Sequence, residues 1–207
     1  MESRVEIMRP ERLQRLEELV REYLETKERQ SPAHRFDHAK RVMIRALRLA
    51  EIYGGDKELL AAAAILHDIE ELYDAKDGHA ERSAERAEGF LRAAGYNRLE
   101  IERIKELIKS HSSEDDFDVQ SMEAKILFDA DKLDGIGAIG IARVFMYAGK
   151  LGMSVREAVE WYRGKIEKAR KRLYTEEARK IAEENLEFVE WFLKELEGEL
   201  EWKPGEV

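Results

Sequence analysis

Apolar residues along the chain recur at helical rather than strand spacing. Leu13, Leu16, Leu19, Val20 and Tyr23 share one face of a helix predicted from about Pro10 to Arg29, which Ser31-Pro32 ends. A second helix spans Phe36 to Tyr53 and stops at Gly54-Gly55. Asp56 is placed to cap a third, whose centre LLAAAAILH is apolar all round and small enough for close approach by neighbours, so it is expected to be the buried centre. A polar loop, DAKDGH, leads to a helix from about Ala80 to Ala94. Gly95 stops that helix, and Asn97 with Glu100 supplies a capping box for the next, which ends near His111. The acidic stretch SSEDDFDVQS reads as a loop. Ser121 caps the helix carrying KILFDADKLD, glycines 135, 137 and 140 break it, and IARVFMYAG forms a short apolar helix. Ser154 with Glu157 makes another capping box, and Thr175 opens a long amphipathic helix with Ile181, Phe188, Val189, Phe192 and Leu196 inward.

β-Branched residues never gather into alternating runs, and only 3 prolines occur, so the strand signal is close to absent and the fold class is all-α. At 207 residues and 43% apolar the chain can bury one good core, and a single domain over 1-207 is expected. The start, MESRVEIMRPERL, is charged throughout, and no apolar run is long enough for a signal segment or a membrane span. A cytoplasmic protein without a membrane partner is the expectation. The net charge of −9 disfavours a nucleic-acid polymer, although 36 Lys and Arg could still form a local patch around an anionic substrate. Glu/Lys/Arg mixtures at helical spacing, as from Glu176 to Lys194, read as solvated faces. Apolar faces on the terminal helices would either close the core or make a homodimer.

The absence of cysteine excludes disulfides and thiolate ligands, so any metal must be held by imidazole and carboxylate. The chain has 5 histidines, at 34, 38, 67, 79 and 111, all beside helix ends or loops. His34 and His38 are four apart and, if helical, project from one face, roughly 5–6 Å apart at Cβ. His67-Asp68 ends the buried third helix, where an ionisable pair is costly unless paired or metal-bound. Asp129, Asp131 and Asp134 fall among Ile126, Leu127, Phe128 and Leu133. Asp131 and Asp134 share a face, whereas Asp129 and Asp131 diverge by about 200° and are not expected to point inward together.

The order His38, His67-Asp68, Asp131 resembles the signature of the HD superfamily of metal-dependent phosphohydrolases. The match includes HxxRV (His38, Arg41, Val42), AAILHDI, GHAERSAE (with His79 and Ser83), SHSS (with His111) and ILFDADKLDGIGAIGIAR. Segment by segment these resemble the small stand-alone bacterial and archaeal branch over roughly residues 30 to 150. The resemblance implies an HD-domain helical bundle, with the stretches 1-29 and 151-207 as additional helices. It implies that His38, His67, Asp68 and Asp131 ligate one divalent cation. Such a donor set suits Mn²⁺, Fe²⁺, Co²⁺, Ni²⁺ or Zn²⁺, and suits Mg²⁺ less well. His79 and His111 stand where some members bind a second metal, but phosphate binding or a weak second site is the preferred expectation, since no carboxylate besides Asp68 is clearly placed to bridge two cations. His34 matches a further histidine at the pocket edge. Arg35 departs from the acidic residue or glycine usual in this branch, and Glu71 fits the HDxxE pattern of some members, with a plain surface glutamate as the other reading.

The activity that the resemblance implies is hydrolysis of a phosphoester or phosphoanhydride by a water that the cation activates. Asp68 would orient the water, with Glu71 or Asp134 as a second base. Lys132, Arg41, Arg143 and His34 join His79 and His111 as candidates to meet phosphate oxygens, and Asp134 completes the substrate-binding set. The expected substrate is a small phosphorylated molecule, a nucleotide by preference. Two competing classes are a di-iron oxygenase and a non-catalytic nucleotide-sensing module.

Overall fold

The computed structural model describes residues 10–28, 30–72, 78–111 and 121–201. Among them the chain forms helices α1 (Glu11–Thr26), α2 (Phe36–Tyr53), α3 (Lys57–Leu66), α4 (His79–Ala94), α5 (Arg98–Ser110), α6 (Met122–Asp134), α7 (Ala138–Lys150), α8 (Val155–Arg172) and α9 (Glu176–Leu200). The described residues contain no strand, only one isolated bridge between Gln30 and Leu72. None of the described helices is long and apolar enough to cross a membrane. The acidic stretch 112–120 and most of the DAKDGH loop lie outside the described residues.

Capping side chains begin most of these helices where the sequence places them. Asp56, Ser121 and Thr175 accept the N–H three residues on, and Asn97/Glu100 and Ser154/Glu157 form reciprocal boxes. The first helix is shorter than expected, ending at Thr26. Lys27 is extended and its ammonium donates to the Ile69 carbonyl at 2.6 Å, which no helical continuation would allow. Every residue of α3 from Leu59 to Leu66 is buried, and α2 and α5 pack on it. Four successive alanines in that helix let these neighbours come close.

Two expectations need correction. Gly140 does not break a helix but lies inside α7, while the chain turns at Gly137, whose φ of 103° suits glycine. A Cβ on Gly140 would stand 2.2 Å from the Gly135 carbonyl oxygen and 2.8 Å from the Tyr162 hydroxyl, which itself donates to Gly135 O. The residue is glycine because α7 must pass against the end of α6. In α9 the buried stripe is Ala178, Ala182, Leu186, Val189 and Leu193, and Phe188 is 45% exposed. Val189 is buried as expected and Ile181, Phe192 and Leu196 pack half-buried against the core, so Phe188 alone of the expected face is turned out.

Asp129 and Asp131 project from opposite sides of α6, and both are enclosed because α6 is packed on two sides. Asp129 is fully buried and accepts the N–H groups of Tyr174 (2.9 Å) and Thr175 (2.8 Å) and the Thr175 hydroxyl (2.7 Å), anchoring the start of α9. Burial pushes its carboxyl up despite those bonds.

Gly140→Ala is predicted to destabilise the protein by about 1–3 kcal/mol, the usual cost of overpacking. The denaturant midpoint measures it, and an unchanged midpoint would contradict the close approach.

Candidate metal centre

The turn after α3 brings His67 and Asp68 to the junction of α2, α4, α5 and α6. Its backbone is fastened by the α1–α2 connection: the Gln30 side-chain amide donates to Asp68 O (3.1 Å), and Ser31 N–H donates to Glu71 O (3.1 Å). Around Asp68 stand all 5 histidines of the chain. Asp68 Oδ2 lies 3.2 Å from His67 Nε2, 3.4 Å from His38 Nε2 and 3.8 Å from His34 Nε2. Asp68 Oδ1 lies 3.2 Å from His111 Nε2 and 3.6 Å from His79 Nε2.

His38, His67, Asp68 and Asp131 each offer one atom to a group lying within 4.8 Å of one another. Asp131 Oδ1 completes it, 3.6 Å from His38 Nε2 and 3.7 Å from His67 Nε2. Each imidazole has an acceptor for its other nitrogen: His67 Nδ1 donates to Ala64 O (2.8 Å) and His38 Nδ1 to Asp134 Oδ2 (2.7 Å). In the neutral rings this turns two Nε2 lone pairs on each other at 3.2 Å, beside two carboxylate oxygens. Such an arrangement asks for one positive charge in its middle, and the donor set fits a divalent cation. Charges elsewhere agree. Burial works to raise the Asp68 and Asp131 carboxyls, yet both are held well below the usual carboxylate range, Asp68 by His67, His111 and His38 and Asp131 by Lys132 and His67.

A second group, Asp68, His79 and His111, shares the Asp68 carboxylate through its other oxygen. His79 Nε2 and His111 Nε2 are 3.2 Å apart. His111 Nδ1 bonds to Ile108 O, and His79 Nδ1 lies 3.5 Å from Glu71 Oε2. Burial pulls His111 below the ordinary histidine range despite Asp68. Of the acidic residues near His79 in the sequence, Asp74 and Asp77 lie outside the described residues, and Glu81 accepts from Lys109 at 2.6 Å. Glu71, which is buried, is the carboxylate that faces His79 Nδ1.

Both groups open on a cleft of about 940 Å³ whose walls include His34, Glu71, Asp131, Lys132 and Arg143. His34 sits in the turn before α2 rather than on it, with Nδ1 2.8 Å from Ser31 Oγ, and burial takes its pKa well below the usual value. Lys132 Nζ donates to Asp131 Oδ2 at 2.7 Å. Three residues expected at the substrate are placed otherwise. Asp134 lies behind His38, on the side away from the two groups, and Arg41 is bonded to Asp134 and to Asp37. Arg143 reaches the cleft but spends Nη1 on Asp134 (3.0 Å) and Nε on Ala33 O (2.8 Å). Against burial, His38 and Arg41 hold the Asp134 carboxyl well below the usual range. The far wall of the cleft, from α8, went unnoticed in the sequence: Trp161, Lys165, Lys168 and Arg172 line it. Their four-three-four spacing on one helix face was the available signal.

Burial alone would push His67 down, but Asp68 and Asp131 outweigh it and raise its pKa to about 10. A proton on His67 at neutral pH is therefore the expectation for the cation-free protein. Because a ligand nitrogen must give its proton up, cation binding near pH 7 is predicted to release about one proton, and affinity should rise by about tenfold per pH unit below that range. Calorimetry in buffers of different ionisation enthalpy checks this. Binding without proton release would contradict it.

The HD-domain family model matches residues 35–136, a span that contains both histidine–aspartate groups and Asp134. The uncharacterized protein YpgQ of Bacillus subtilis is 31% identical over 180 residues, covering 83% of this chain and 86% of the relative. The crystal structure of YpgQ in complex with ADP superposes with a TM-score of 0.71 at 29% identity, over 91% of this chain and 98% of that one. A protein from an uncultured Thermotogales bacterium, described as a predicted HD superfamily hydrolase, is 34% identical with a TM-score of 0.63, over 91% of this chain and 92% of its own. On the matched motif segment and on near-full-length similarity to such a relative, the chain belongs to the HD-domain family.

Proposed function

We propose that this protein is a divalent-metal-dependent phosphohydrolase whose substrate is a small phosphorylated molecule, with a nucleotide as the preferred class. The observation that carries the reading is the charge layout of one cleft. Two carboxylates and two imidazoles face one point, and the cleft that Asp68 and Asp131 line is also lined by Lys132, Lys165, Lys168 and Arg172. An anionic substrate attracted by these cations would bring its phosphorus to the part of the cleft where a cation is also wanted. YpgQ, a relative of similar fold, forms a complex with ADP, which supports a nucleotide as the ligand class proposed for this chain.

The cation, when bound, supplies Lewis acidity that brings a water toward ionisation and offsets charge on a phosphoryl oxygen. This chain's own residues do the rest. Asp68 presents oxygens to both histidine groups and so can orient an attacking water between them. Glu71, a buried carboxylate lining the cleft beside His79, is the residue assigned to take its proton in this reading. Asp134 is a poorer base, since its oxygens are committed to His38 and arginines. Lys132 and the α8 cations hold the phosphate oxygens, with His34 at the rim.

A second cation at Asp68, His79 and His111 is favoured over phosphate binding by the same two histidines. Facing Nε2 atoms at 3.2 Å beside Asp68 Oδ1 suit a cation, whereas neutral, buried His111 is a weak partner for an anion.

The test is a hydrolysis screen of nucleotides and phosphomonoesters with Mn²⁺, Co²⁺, Ni²⁺, Zn²⁺ and Mg²⁺. Release of phosphate or pyrophosphate is expected with at least one transition cation. Asp68→Asn should lower turnover by more than about 100-fold, the upper end of what losing a group that merely supports a ligand costs. Turnover that survives both chelation and this substitution would contradict the reading.

A further inference from the structure

Asp134 is fully buried at the end of α6. Its Oδ2 accepts from His38 Nδ1 (2.7 Å), Arg41 Nη2 (3.0 Å) and Arg143 Nη1 (3.0 Å), and its Oδ1 from Arg41 Nε (2.9 Å) and Arg45 Nη1. The arginines come from two helices, Arg41 and Arg45 from α2 and Arg143 from α7. Tying α6 to both helices would need one arginine from each, and the structure supplies a third. Three guanidiniums fix both oxygens of the carboxylate, in position and in plane, against one edge of one imidazole.

A neutral imidazole carries its proton on one nitrogen, and the acceptor it meets decides which. We propose that Asp134 is the positioning residue of His38: it keeps the proton on Nδ1, reserves Nε2 for a divalent cation, and is itself held by Arg41, Arg45 and Arg143. Without Asp134 the ring is free to place its proton on Nε2, where it faces His67 Nε2, Asp68 Oδ2 and Asp131 Oδ1 and excludes a cation. The three arginines thereby belong to the support of the ligand rather than to the substrate. Arg143 extends that support to the rim of the cleft through its bond to the Ala33 carbonyl, next to His34. The inference rests on the reading of His38 as a cation ligand.

The experiment is calorimetric titration of the cation-free protein with Zn²⁺ and with Mn²⁺, for wild type and Asp134→Asn, alongside thermal melting of both. The expected result is affinity about 10–100-fold weaker in the variant, a loss of the size seen when the outer partner of a ligating histidine is removed. Tight binding by wild type with unchanged affinity in a folded variant overturns the inference alone. Failure of the wild type to bind either cation overturns the metal reading, and this inference with it. Because removing a charge from among three arginines can prevent folding, nitrogen-15 spectra of the cation-free wild type give an independent readout, since there no bound cation dictates which nitrogen carries the proton. A proton on His38 Nδ1, protected from exchange, supports the inference, and an unprotonated Nδ1 overturns it.

Discussion

The carboxylate of Asp68 is buried where five imidazoles meet, and a buried charge must be met by opposite charge or hydrogen bonds. That requirement reaches into most of the motif-bearing part of the chain. His38 has to come from α2, His67 from the end of α3, His79 from the start of α4, His111 from the end of α5 and Asp131 from α6. Five helix segments can converge so closely only if the element at their centre is thin. The run Ala61 to Ala64 in α3 provides this, fully buried and with side chains no larger than methyl. The apolar core and the polar centre are thus two consequences of one small-residue helix.

Around the converging atoms lies a layer of acceptors that fixes each ring. At two places the device is the same. His67 and His111 each stand at the C-terminal cap of a helix, and each turns Nδ1 back to the carbonyl three residues earlier, Ala64 O and Ile108 O. Carbonyls at a helix end lack an intrahelical partner, so this bond costs the helix nothing and leaves Nε2 facing outward. The negative end of the helix dipole also favours positive charge beside it. His38 and His79 lie at helix starts, and there side-chain carboxylates face Nδ1: Asp134 Oδ2 at 2.7 Å for His38 and Glu71 Oε2 at 3.5 Å for His79.

The sequence made the local parts legible. Caps at Asp56, Asn97, Ser121, Ser154 and Thr175 could be read because donor and acceptor are three residues apart, and α3 because its apolarity has no face. The ordered HD-type motifs pick out His38, His67, Asp68 and Asp131, the four side chains that the fold brings together. What could not be read depends on distant partners. Asp134 looks like a companion of Asp131 on one helix face, but α6 ends there, and its partners on α2 are some ninety positions away. Gly140 looks like a helix breaker until Gly135 and Tyr162 are placed beside it. The basic face of α8 looks like any solvated Lys/Arg helix, and only the packing of α7 and α8 over the cleft shows that it lines the same pocket as Asp68, His79, His111 and Asp131.

The most direct measurement is anomalous scattering from crystals of the protein soaked in Mn²⁺ or Zn²⁺. The account predicts a peak about 2.0–2.3 Å from His38 Nε2, His67 Nε2, Asp68 Oδ2 and Asp131 Oδ1, with any second peak between Asp68 Oδ1, His79 and His111. A cation bound elsewhere, with these four side chains joined only to one another, would contradict it.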